Sequence, residues 1–146
     1  MNTKFNLKQW SIASVAVFII YSLVGFLLRK LGVEPWVTGT VPSLGDAQQY
    51  SWTMSQGVLV YLARIFGAGL FTYVFTKGYE GKPGLGEGLR YGLWIGLLVY
   101  VPAGLYGFAS SIFPVSSQVY QIVRGIVEAI ICGGVVAQLY KPVKAS

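Results

Sequence analysis

The chain has 146 residues, 54% of them hydrophobic, 15% aromatic and 11% charged, with 19 glycines and a net charge of +6. Soluble domains carry about 25% charged residues, so this composition excludes an ordinary water-soluble core and points to a bilayer, which favours Gly and interfacial Trp and Tyr. The positive charge lies beside apolar runs, not along a groove, which excludes a nucleic-acid surface; one cysteine and no histidine exclude disulfides, redox pairs, His-ligated haem or zinc and His general bases.

Four stretches can cross a hydrocarbon core of about 30 Å, which takes about 20 residues. The first is "WSIASVAVFIIYSLVGFLL" (10–28), with Lys4 and Lys8 before it and Arg29 and Lys30 after it. It is longer than the apolar core of about 7–15 residues in a secretory signal, and no small-residue cleavage site follows. It reads as an uncleaved span. The connection 29–55 holds Pro35, Trp36, Pro42, Tyr50 and Trp52. It is expected to lie folded on the outer face, since loops this long inside compact domains are often functional or disordered.

The second span is predicted at 56–76, the third at 88–108 and the fourth at 117–139. Lipid offers no partner to backbone N–H and C=O groups, so helix is the conformation available to each. Pro102 is predicted to kink the third near its far end. "KGYEGKPGLGE" (77–87) is a short, charged, Gly-rich turn. In "GFASSIFPVSS" (107–117), Pro114 stops one helix before Ser116 or Ser117 caps the next. No internal repeat relates the two halves, which argues against an inverted-repeat transporter.

Lys and Arg at the span ends set orientation. With the N-terminus inside, the cytoplasmic side holds Lys4, Lys8, Lys77, Lys82, Arg90, Lys141 and Lys144, and the opposite side Arg29 and Lys30 with the acids Glu34 and Asp46. Both termini are therefore expected to be cytoplasmic. Small residues recur every four positions: Gly84, Gly88, Gly92 and Gly96 in one segment, Gly125, Ala129, Gly133 and Ala137 in another. Each set shares a helix face and offers a smooth strip for another backbone. The strips can form a homodimer seam or join the third and fourth helices within one bundle.

Charges inside the spans carry the functional question, because a central Arg or Glu costs about 2.5–3.5 kcal/mol to insert. Arg64 and Arg124 each fall about eight residues into their spans, roughly 12 Å below the outer boundary, with Glu128 one turn deeper. On the fourth helix Ser117, Gln121, Arg124, Glu128 and Cys132 make one face; on the second, Tyr61, Arg64 and Ala68 do the same. Three readings follow. Glu128 pairs with one or both arginines as a structural clasp between helices; both arginines snorkel to the headgroups; or the surplus positive charge holds an anion, for which a guanidinium fork is well matched. The candidate ligand-binding residues are Arg64, Arg124, Glu128, Gln121 and Tyr61, with Tyr100, Tyr106 and Tyr120 as further wall residues.

No nucleophile–base pair, metal cluster or P-loop is present, and "GLGEGL" (84–89) follows no strand as a nucleotide motif would. No metal, cofactor or catalytic residue is expected.

The run "YVFTKGYEGKPGLGEGLRYGLWIGLL" (73–98), with "VRGIVEAIICGGVVAQLYKP" (123–142) after it, resembles an uncharacterised family of small four-helix bacterial inner-membrane proteins. The likeness covers roughly 57–142 and implies a bacterial cytoplasmic-membrane location and the same helix order. It implies no activity.

The expected fold is an all-α, integral-membrane four-helix bundle, N-in and C-in, forming one domain over 1–146 with a long extracytoplasmic loop after the first helix. The expected function is a non-enzymatic structural or accessory membrane protein with an intramembrane Arg/Glu network. The alternative is binding or transport of an anionic lipid, fatty acid or small anion at that network.

Overall fold

The computed structural model describes residues 3–31, 54–78, 84–110, 115–140 and 143–144. Four helices dominate: α1 (Leu7–Lys30), α2 (Met54–Gly78), α3 (Leu85–Ser110) and α4 (Val115–Leu139). All four are long and apolar enough to cross a membrane. Each runs about two or three residues past the apolar stretch that predicts it at one end or both, because backbone hydrogen bonding continues where the sequence turns polar. The expected connection 29–55 falls mostly outside the described residues.

Local chemistry sets the helix ends. Asn6 caps α1, its Oδ1 accepting the Gln9 backbone N–H at 3.2 Å, as short polar side chains do at N-caps. Gly84 precedes α3 with φ +146°, a conformation that glycine alone adopts without strain. α4 begins at Val115, so Ser116 and Ser117 lie within its first turn and not at the cap position expected of them. α3 continues through Pro102, whose ring removes one backbone donor from the ladder.

A feature that the helical reading of the chain does not anticipate joins the two ends. Strands β1 (Thr3–Lys4) and β2 (Val143–Lys144) pair antiparallel, Thr3 opposite Lys144 and Lys4 opposite Val143. Beside this ribbon the Asn6 N–H donates to the Tyr140 hydroxyl at 3.4 Å. Both described ends of the chain therefore lie at one end of the bundle, termed here the terminal end.

The helices form an open ring. α1 packs on α2 and on α4, and α3 packs closely on α4, while α2 and α3 stand largely apart. The α3–α4 contact is backbone against backbone: a Cβ added at Gly88 would collide with the Gly133 carbonyl, and one at Gly92 with the Ala129 carbonyl. Gly96 faces Ile126 and Ala129, and Gly125 receives the ring of Tyr100. The two small-residue strips thus face each other within one chain.

The buried core occupies the half nearer the terminal end, built from Ala13 and Val17, Phe71 and Phe75, Cys132, Val136 and Tyr140. Tyr91 of α3 closes this half. Its ring meets Phe71 and Phe75 at 5.1 Å between centroids, and its hydroxyl donates to the Phe71 carbonyl at 2.6 Å. Trp10 similarly lies against Gly69 and donates its indole N–H to the Gly69 carbonyl at 3.2 Å.

Candidate functional site

Beyond the Tyr91 closure, α2 and α3 diverge and leave a cleft of about 610 Å³. Its cause is local. α2 presents Ala63, Gly67 and Ala68 where large side chains would bridge to α3, and nothing lies within 4 Å of the point where a Gly67 side chain would begin. The α3 wall is Tyr91, Ile95, Val99 and Tyr100. Exposed Ala63, Gly67, Leu70, Val74 and Val99 lie along its rim. The cleft is thus open along its side.

Most of its polar groups among the described residues are gathered together: Arg64 from α2, Arg124 and Glu128 from α4, Tyr21 from α1 and Tyr100 from α3, with Tyr91 further along. Arg64 lies ten residues into α2 and Arg124 nine into α4, about 15 Å and 14 Å along the axis, so antiparallel neighbours of one helix bring them to a similar level. Gly25 of α1 makes room for Arg124 and lies beside Arg64. A Cβ there would sit 2.7 Å from Arg124 Nη2 and 3.9 Å from Arg64 Nη2. The Tyr100 and Tyr21 hydroxyls are bonded to each other at 3.3 Å.

Glu128 is only 5% exposed. Its Oε1 accepts from Arg124 Nε at 2.8 Å, an i,i+4 ion pair within α4. That pair lies within one helix, and among the described residues no ion pair joins Glu128 to Arg64 as an interhelical clasp would. Arg64 has no hydrogen bond or ion pair among the described residues. Among the described residues two cations and one anion thus share a cleft of low polarity.

The other expected residues distribute unevenly. Tyr100 lines the cleft; Tyr61, 56% exposed, and Tyr106, 78% exposed, do not. Gln121 is exposed and outside the cleft. The glutamine that α4 buries is Gln118, whose amide occupies the space a side chain at Gly107 would need. Its sequence signal is the seven-residue step Gln118, Gly125, Cys132, which runs along the buried face of α4. Tyr21, Gly25 and Gly67 were not anticipated. Only Gly67 carries a local sign, in the run of small residues "GAG" beside Arg64.

The arrangement can hold an anion against Arg64 and Arg124 while apolar walls take an attached hydrocarbon. Compared with protein-family profiles, curated proteins and solved structures, the chain matches none.

Proposed function

We propose that this is a multi-pass membrane protein of non-enzymatic role that binds an anionic amphiphile in the cleft between α2 and α3. The observation that carries this reading is the position of Arg64: a cation without an ion-pair partner among the described residues, lining an apolar-walled cleft beside a second guanidinium. Ionisable groups within membrane spans are expensive, and one that serves no ion pair is a functional-site candidate by default. An acyl tail fits the apolar walls, and an anionic headgroup meets the arginines. The side opening lets such a molecule come directly from the surrounding lipid.

The setting proposed is the cytoplasmic membrane of a bacterium, with both termini on the cytoplasmic side. The excess of Lys and Arg at the terminal end supports that orientation.

A purely structural role is the second reading, favoured by the 2.8 Å Arg124–Glu128 pair. The two readings separate at Arg64, which that pair does not need. Gently purified protein, analysed by native mass spectrometry beside Arg64→Gln, is the test. A defined anionic molecule retained by the wild type and lost from an equally stable variant is expected. Only bulk lipid on both proteins would sink the binding reading and leave the structural one.

A further inference from the structure

Resting on the binding reading above, we infer that the occupant is a single-chain, monoanionic amphiphile, its headgroup at Arg64 and Arg124 and its tail directed toward Tyr91. Three observations carry this.

The first is charge. Among the described lining residues the charged groups are Arg64, Arg124 and Glu128, which leaves one positive charge over in surroundings of low dielectric, where uncompensated charge is costly. One monoanion brings the site to neutrality. A dianion would reverse the imbalance, and a zwitterion would bring a cation for which Glu128, already bonded to Arg124 Nε, is poorly placed.

The second is volume. A cleft of about 610 Å³ lies within the roughly 300–1,000 Å³ usual for small-molecule sites. It has room for one acyl chain along its walls, and the open side lets a headgroup larger than a carboxylate extend past the arginines.

The third is direction. From Arg64 the α2 lining runs through Gly67, Ala68 and Phe71 to Val74, about 15 Å of helix, and reaches the ring cluster of Tyr91 with Phe71 and Phe75. The Tyr91 hydroxyl is already bonded to the Phe71 carbonyl, so this end presents ring surface, suited to a terminal methyl. A second copy of this chain is a poorer occupant. Among the described residues its acids are Glu87, in the first turn of α3, and the enclosed Glu128, so its helices bring no free carboxylate to Arg64.

The headgroup chemistry, one negative charge on oxygen, can come from a carboxylate or a phosphodiester. The test places the protein in phosphatidylcholine nanodiscs and measures binding of oleate, lysophosphatidylglycerol, lysophosphatidylcholine, lysophosphatidic acid and dioleoylphosphatidylglycerol. Gly67→Leu, which fills the cleft where nothing lies within 4 Å, and Gly86→Ala, outside it, serve as paired variants. Oleate, lysophosphatidylglycerol or both should bind one per chain, and whichever binds identifies the source. Lysophosphatidylcholine should bind at least about tenfold more weakly, a difference of about 1.4 kcal/mol. Gly67→Leu should lose binding with its melting temperature kept, and Gly86→Ala should retain it.

Tighter binding of the diacyl lipid would overturn the single-chain inference but leave the anionic site standing. Tighter binding of dianionic lysophosphatidic acid would overturn the monoanion inference in the same limited way. Equal binding of lysophosphatidylcholine, or a protein dimer with no probe bound, would bring down the proposed function as well.

Discussion

At the residue scale the three charges are not equivalent. Glu128 is enclosed and bonded to Arg124. Removing one partner of a buried pair leaves the other uncompensated, at about 3–5 kcal/mol. Glu128→Gln should therefore lower thermal stability by that order, and an added single-chain anion should recover part of the loss by supplying the missing charge. Arg64 has no such partner among the described residues, so Arg64→Gln should leave stability unchanged or raise it while weakening anion binding. Thermal unfolding of both variants with and without oleate checks the pair. A fall with Arg64→Gln equal to that with Glu128→Gln would mark all three charges as one structural unit. Gly25 belongs to this group through space alone: a Cβ there meets the far end of the Arg124 side chain, which can move. Gly25→Ala should fold normally yet bind less well, because it displaces a guanidinium.

At the element scale, α3 and α4 form the tightest unit because glycine lets their backbones touch. In lipid, helices gain little from hiding apolar surface from one another, so close packing carries more of their association. Gly92 lies against the Ala129 carbonyl and the Ile130 Cα, where neither neighbour is the end of a flexible chain. Gly92→Val should cost at least the roughly 1–3 kcal/mol usual for overpacking, or prevent folding. Gly86, on the same helix with nothing within 4 Å, should behave oppositely. Replacing it with Ala removes a helix-propensity penalty below the roughly 1 kcal/mol of a helix interior, since Gly86 lies in the first turn of α3. Unfolding of the two variants side by side tests whether contact, and not glycine content, stabilises the hairpin. α2 contributes differently. Phe71 and Phe75 anchor its terminal half, and Ala63 and Gly67 leave its other half standing away from α3.

At the scale of the whole molecule, the ring of four helices is closed at α1–α2, α1–α4 and α3–α4 and open at α2–α3. The opening is the cleft, so fold and candidate site are one feature. The terminal ribbon holds the ends of α1 and α4 together on the far side of the molecule from that opening. Thr3 and Lys144 are directly opposed in an antiparallel pair, where Cα separations are about 4.5–5.5 Å and a disulfide needs about 4.4–6.8 Å. The double variant Thr3→Cys/Lys144→Cys should cross-link within one chain on mild oxidation, read as a mobility shift reversed by thiol. Failure to cross-link would mean that the ends are not joined as described. Native Cys132 is buried and should not compete.

The sequence by itself determined that there are four long apolar helices, roughly where each begins and ends, and that Arg64, Arg124 and Glu128 lie well inside them. Those properties are local: twenty apolar residues and a backbone that must bond to itself admit one answer. It also displayed the four-residue spacing of Gly88, Gly92 and Gly96. What periodicity cannot supply is the partner of a face. Only the tertiary structure decided that this strip meets Gly133 and Ala129 of the same chain, that Glu128 bonds along its own helix and not across to Arg64, and that Gln118 is enclosed while Gln121 is not. The cleft was least legible of all. A void is the difference between two packed surfaces, and small residues such as Ala63 and Gly67 create one only if the opposing helix does not close in. Here Tyr91 wedges against Phe71 and Phe75 at one end, α3 is committed to α4 by backbone contact, and the space between α2 and α3 remains.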